Sequence, residues 1–396
     1  MSKQPLWTRN FILICFSNFF QFMTFYVILS TMPAFVLGNL GYTEWEAGLA
    51  VSAFMASALL VRPLSGKWVD EYDRKKTLLL SLGSYFLVTL LFLGTNSLIP
   101  VIAVRFLQGL AFGVANTVTA TLAAELVPES RRGEGIGYFA TCMSLAVALG
   151  PFLGLSIIAR TNFTVLFTAT AILAFLAVVA GGAISLSPHK KENSHRKAAG
   201  DWRQYLEPRA ALGGLPCLFI AFSFSGVVTF VALYAKLLGI GEWARYFYVF
   251  YACMVVLSRP FAGRLLDKYG PPIVVYPSVV LFALSLLLLS QANSAVVLLI
   301  VGAAVGLSFG ALFSSLQAIA VGVVPEDRKG VATATFFFLG DFGMGLGPSV
   351  LGIIVAWTSF SSMYIVSSLI AVSTVLVYYG LDRRHGKTAN NSVSLQ

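Results

Sequence analysis

The chain has 396 residues, of which 57% are hydrophobic and 11% charged, with a formal net charge of +10. A soluble globular chain carries about a quarter charged residues, so a soluble domain is excluded. Runs of roughly twenty apolar residues recur along the whole length, which is what a bilayer demands of a helix and unlike the short alternating strands of an outer-membrane barrel.

The segment Met1–Asn10 leads into an apolar stretch too long for a signal-peptide core and without a small-residue cleavage site, so it reads as the start of the first span. Twelve spans follow in order, at 11–36, 46–65, 77–95, 99–126, 135–159, 163–187, 211–236, 243–264, 272–292, 295–324, 331–356 and 361–381. The one long charged segment, 188–210, divides them six and six. The expected organisation is an N-terminal six-helix bundle over 1–187, a cytoplasmic linker over 188–210, and a C-terminal six-helix bundle with a short tail over 211–396.

Lys and Arg set the orientation. With the N-terminus in the cytoplasm, cytoplasmic segments hold 23 of the 27 basic residues, leaving Arg105, Arg160, Lys236 and Arg245. Both termini are then expected on the cytoplasmic side of the cell membrane. The positive charge is a topology signal and not a nucleic-acid footprint, which would need a basic face on a folded soluble domain. Four cysteines fall inside apolar spans and three histidines in hydrophilic segments. No spacing among them suits a metal.

The two halves are copies. Arg62-Pro63-Leu64-Ser65-Gly66-Lys67-Trp68-Val69-Asp70 recurs as Arg259-Pro260-Phe261-Ala262-Gly263-Arg264-Leu265-Leu266-Asp267, an offset of 197 residues. The same offset relates Gly109 to Gly306, Val127-Pro128-Glu129 to Val324-Pro325-Glu326, and Gly150-Pro151 to Gly347-Pro348. A single register held this long marks an internal duplication.

Charges inside a bilayer are costly and mark function. Sixteen of the 17 acids lie in loops or near span ends, and Asp341 is the exception. It sits about 15 Å into the eleventh span, either as a structural acid fixed by a partner or as a proton carrier. Arg105 is its basic counterpart. It shares a helix face with Gln108 and could hold an acid or an anionic group. Asn18, Gln21, Tyr26 and Gln317 are further polar candidates for a substrate cavity. Gly150, Pro151, Gly154, Gly347 and Pro348 let helices approach closely or bend. Asp70 and Asp267, repeated at one register with Gly66 and Gly263, read as latches that cap a neighbouring helix N-terminus.

These residues resemble the major facilitator superfamily, and the resemblance covers the whole chain. Its loop signature after the second span, Gly, three residues, Asp, a base, any residue, Gly and a basic cluster, is matched by Gly66, Asp70, Arg74, Lys75 and Lys76. Glu71 stands where a base is usual. Asp73 stands where Gly is usual, and because Asp tolerates positive φ the turn is expected to survive. The second copy keeps Gly263, Asp267, Lys268 and Gly270. The fourth-span signature is matched by Arg105, Gln108 and Gly109. The fifth-span signature of proton-driven exporters is matched by Gly137, Gly150, Pro151 and Gly154, with Ala146 and Leu155 in place of two glycines.

The resemblance implies an all-α membrane protein of two pseudo-symmetric six-helix bundles that exports a small organic, amphiphilic or drug-like molecule in exchange for protons. Many such exporters carry an acid in the first span. This chain has none there, which leaves Asp341 to couple protons, with Arg105 tuning it. The implied partners are the substrate, protons and the bilayer, with no cofactor, no nucleic acid and a single copy at work. Nutrient uptake or facilitated exchange, and a non-transporting membrane sensor, are the alternatives. An enzyme is not expected, since no nucleophile, metal cluster or phosphate loop is present.

Overall fold

A computed structural model describes residues 6–128, 132–185, 206–325 and 328–393. Twelve helices are long and apolar enough to cross a membrane. They are α1 (Arg9–Ala34), α2 (Glu44–Glu71), α3 (Arg74–Leu90), α4 (Leu98–Leu126), α5 (Arg132–Ile158), α6 (Phe163–Gly182), α7 (Ala211–Leu237), α8 (Ala244–Tyr269), α9 (Pro272–Ser290), α10 (Ala295–Gly322), α11 (Lys329–Trp357) and α12 (Phe360–Val393). No strand occurs among the described residues. The chain is a multi-pass helical membrane protein.

Short polar residues start these helices by satisfying amide donors that have no partner inside the helix. Thr8 accepts from the Phe11 amide at 3.2 Å and Asn162 from the Val165 amide at 3.0 Å. Thr43 and Glu46 form a capping box on α2, the Thr43 amide donating to Glu46 Oε2 at 2.8 Å.

Several spans end elsewhere than the apolar runs suggest, α8 among them at Tyr269. α2 runs on to Glu71 and α12 to Val393, because polar side chains continue a helix past the hydrocarbon. α6 stops at Gly182, where Lys75 Nζ caps the carbonyls of Gly182 and Ile184.

The turn between α2 and α3 also differs from expectation. Asp73 has φ −62° and no left-handed backbone. It caps α3 instead, accepting from the Lys76 amide at 2.8 Å. The matching position in the second copy, Gly270, has φ +80° and closes α8 with its amide on the Leu266 carbonyl. A side chain that can cap makes one turn, and a residue without Cβ makes the other.

Packing repeats with the sequence. Gly109 of α4 lies against the Phe54 carbonyl of α2, and Gly306 of α10 lies against the Tyr251 carbonyl of α8. Both partners are displaced by the repeat offset. Gly113 against Ala58 and Gly310 against Val255 do the same one turn on. Between the two bundles, α2 packs on α11, α5 on α8 and α1 on α7.

Candidate functional site

The α2–α11 seam can be followed along both helices from the first turn of α2. Gly352 lies against the Glu44 carbonyl, and Gly48 against the Pro348 carbonyl. The Ser349 amide donates to Ser52 Oγ at 3.2 Å. A Cβ on Gly345 would stand 2.9 Å from Met55 Cβ. Small residues bring the two backbones together here. The contacts finish at an ion pair between Arg62 of α2 and Asp341 of α11. From Glu44 to Arg62 is about 27 Å along the helix. On the α5–α8 seam, the Phe152 and Tyr246 rings lie 6.1 Å apart.

The Arg62–Asp341 pair therefore joins two helices from different bundles. It is only partly enclosed: 31% of the Arg62 side chain and 30% of the Asp341 side chain stay accessible. Tyr26 of α1 and Cys217 of α7 lie within electrostatic reach of Asp341. Tyr26 in turn reaches Tyr251 of α8, and Tyr251 reaches Arg259 of the same helix. A polar track thus crosses between the bundles from the ion pair.

Arg105 lies elsewhere. It is fully buried inside the first bundle. Its Nε donates to the Ala50 carbonyl at 3.2 Å and its Nη1 to Gln108 Oε1 at 2.9 Å. Its guanidinium stacks 4.4 Å over the Phe54 ring. Gln108 Nε2 passes the chain on to Thr89 Oγ1 at 3.0 Å. Gln21 is likewise enclosed, donating to the Phe112 carbonyl at 3.1 Å, and Asn18 is enclosed beside it on α1. These groups bind α1, α2, α3 and α4 together. The expected partnership of Arg105 with Asp341 is replaced by that of Arg62 with Asp341. Of the other cavity candidates, Tyr26 is at the inter-bundle track and Gln317 is half-buried on α10.

The glycines and prolines of α5 and α11 sit at helix contacts. A Cβ on Gly150 would stand 2.6 Å from Tyr26 Cβ, and one on Gly154 would stand 2.9 Å from Thr31 Cγ2. Gly347 lies against Ser225 and the Phe222 carbonyl of α7. Pro151 and Pro348 lie inside continuous helices.

Of the latch candidates, Arg74 of α3 pairs with Glu125 of α4, inside the first bundle. A Cβ added at Gly263 of α8 would meet nothing within 4 Å among the described residues. Gly66, Asp70 and Asp267 fall outside the residues whose side-chain surroundings are described. A comparable tie in the second bundle has no signature in the sequence. The Glu207 amide donates to Thr335 Oγ1 of α11 at 2.9 Å, and Glu207 Oε2 accepts from Arg328 Nε at 2.5 Å. Burial alone would push the Glu207 carboxyl up, but the Arg209 amide and the Arg328 guanidinium outweigh it and hold it below its ordinary 4.5.

The missed residue of the site is Arg62. Placed near the end of a span expected over 46–65, it reads as one more topology charge. The structure extends α2 to Glu71, so Arg62 lies within a continuous helix and opposite Asp341. The signal that could have found it is the duplication of Arg-Pro at 62 and 259.

Comparison with known proteins agrees with this architecture. The family model of the Major Facilitator Superfamily matches residues 14–275 and 243–395. The chain belongs to that superfamily. It is 23% identical over 383 residues to the MFS-type transporter YhhS of Escherichia coli, covering 93% of this chain and 91% of that protein. It is 21% identical to the staphylopine export protein of Staphylococcus aureus, covering 86% and 88%. It is 24% identical to a multi-drug resistance efflux pump PmrA homolog of Lactococcus lactis, covering 95% of each. Among solved structures, a bacterial homolog of the lysosomal transporter Spinster, inward-facing and occupied, superposes with TM-score 0.80 at 13% identity over 96% of this chain and 98% of that one. The nucleoside transporter NupG superposes with TM-score 0.76 at 14% identity, over 94% and 99%. The chain is therefore a membrane transporter of a small molecule and not an enzyme.

Proposed function

We propose that this transporter exports a small organic, amphiphilic molecule in exchange for protons, and that Asp341 carries the proton. The observation that carries the reading is the Arg62–Asp341 ion pair joining α2 to α11 across the two bundles. The exporters among its relatives support the direction. The moving bodies are the two six-helix halves, 1–187 and 211–396, joined by the segment 188–210.

The basic loops face the cytoplasm, as do both termini, so the packed part of the seam closes the outer side. In this state Arg62 stabilises the ionised carboxylate, and the pair holds the outer side shut. Cargo entering from the cytoplasm competes for this contact and lets the halves rock. Once Arg62 has moved away, a carboxyl inside the bilayer is neutral at lower cost and takes a proton from outside. The protonated acid makes no ion pair, so nothing holds the outer side shut and the halves rock freely back to the inward-facing state. Arg62 then returns to Asp341 and the proton leaves to the cytoplasm. A deprotonated, empty carrier stays locked, which prevents futile proton flow. One chain supplies the whole cycle.

The test is flux in proteoliposomes under an imposed pH gradient, with a panel of fluorescent amphiphiles. Wild-type protein is expected to drive them against the proton gradient. Asp341→Asn is expected to reconstitute normally and lose pH-driven flux. Undiminished flux in that variant removes Asp341 from the mechanism, and flux along the proton gradient makes the protein an uptake system.

A further inference from the structure

We infer that the cargo is an organic anion whose acidic group docks on Arg259, an inference that rests on the transport reading above. The internal duplication places Arg259 of α8 at the register of Arg62 of α2. It also places Ser144 of α5 at the register of Asp341 of α11. The α2–α11 and α5–α8 contacts are the two equivalent seams between the bundles. On the first seam a cation meets an acid. On the second, the equivalent acid is a serine in the sequence, and the cation remains.

Arg259 is half-buried within the eighth membrane span. Among the described residues it makes no ion pair. Its electrostatic neighbour is the phenol of Tyr251, which is within electrostatic reach of Tyr26, as Tyr26 is of Asp341. Neither phenol is hydrogen-bonded to another group among the described residues, so both hydroxyls are free to donate.

Charge balance makes the same case. Arg62, Arg105 and Arg259 stand within membrane spans; Arg105 is bonded to the Ala50 carbonyl and Gln108, whereas Arg259 has no hydrogen bond or ion pair among the described residues. Asp341 is already matched by Arg62. A cation held inside the bilayer without a counter-charge is costly. A carboxylate, sulfonate or phosphate on an apolar frame supplies the missing charge. Arg259 offers it a planar fork of donors, and the two phenols offer further hydroxyl donors within electrostatic reach.

The experiment uses full-length protein in phosphatidylcholine nanodiscs and a matched pair of probes, anilinonaphthalene sulfonate and uncharged phenylnaphthylamine. Binding is read by fluorescence after subtraction of empty discs. Wild-type protein is expected to bind the sulfonate about tenfold more tightly or better, the scale of one desolvated charge contact. Arg259→Gln is expected to bind both probes alike, and Arg259→Lys to retain part of the preference. Ser144→Asp, which installs the missing acid, is expected to erase the preference with Arg259 intact. Monodisperse elution of each variant establishes that it is folded.

Equal binding of the two probes by wild-type protein would overturn the inference, as would a preference untouched by both Arg259→Gln and Ser144→Asp. Phosphatidylglycerol added to the discs separates the sources of the anion: loss of sulfonate binding would assign the site to lipid headgroups and overturn it as a cargo site. The transport reading fails on a different result. No pH-driven flux of either probe in wild-type proteoliposomes, with the anion preference intact, removes export and leaves the anion site standing.

Discussion

Two arginines are partnered differently at the scale of single residues. Arg105 is spent inside one bundle, with its guanidinium bonded to Ala50 and Gln108 and stacked on Phe54. Arg105→Ala leaves the buried Gln108 Oε1 without this donor, at about 1–3 kcal/mol. The expected result is a lower melting temperature in detergent with the Asp341 dependence of flux unchanged, and size-exclusion after heating measures it. Arg105→Lys cannot span both acceptors and is expected to recover only part of the loss. Arg62 is exposed to the gap between bundles and pairs with Asp341. Arg62→Gln is expected to leave melting nearly unchanged and to flatten the pH dependence of flux. The reverse pattern for the two arginines would exchange their roles. Asp341 could be singled out from the sequence, because a lone acid deep in an apolar span stands out. Its partner could not, because a basic residue near a span end has the same appearance whether it marks topology or faces an acid inside the bilayer.

At the scale of elements, the seam depends on glycine. Gly48 and Gly352 bring α2 and α11 to backbone contact on the side away from the basic loops. Gly48→Val is expected to hold that side open, because the added atoms meet the Pro348 carbonyl and backbone cannot move aside cheaply. Reaction of a cysteine at Ser52 with a water-soluble maleimide would rise in that variant. No rise would mean the seam tolerates the bulk and does not close there. At the entrance to α7, Glu207 ties to Arg328 and Thr335. Its carboxyl titrates below its ordinary 4.5, so the tie stabilises the protein above that value and is lost as pH falls through the folded value. Melting of wild type and Glu207→Gln is expected to differ at neutral pH and to converge in acid. The span positions were legible from hydropathy, and the α4 and α10 glycine contacts from the repeat, but Gly48 and Gly352 were not, since Arg245 and Leu155 stand at their repeat positions. The true length of α2 and the capping role of Asp73 were not, since both depend on polar residues that suit helix, cap and turn alike.

The whole molecule is a pair of duplicated bundles whose likeness extends to individual contacts, such as Gly109 on Phe54 and Gly306 on Tyr251. The duplication was legible in the sequence from a handful of motifs. What broke the symmetry was not: the acid at 341 has serine as its counterpart at 144, and only the packing of α2 on α11 shows that this difference falls on an inter-bundle seam. The central claim is that protonation of Asp341 releases the two halves from each other. Spin labels placed at Glu44, the first residue of α2, and Thr358, the C-cap of α11, report it directly by pulsed electron resonance in nanodiscs. The account predicts a short distance at neutral to alkaline pH, a growing long-distance population in acid, and a long-distance population at every pH in Asp341→Asn. A distance distribution that ignores pH in wild type, or that still responds to pH in Asp341→Asn, would contradict it.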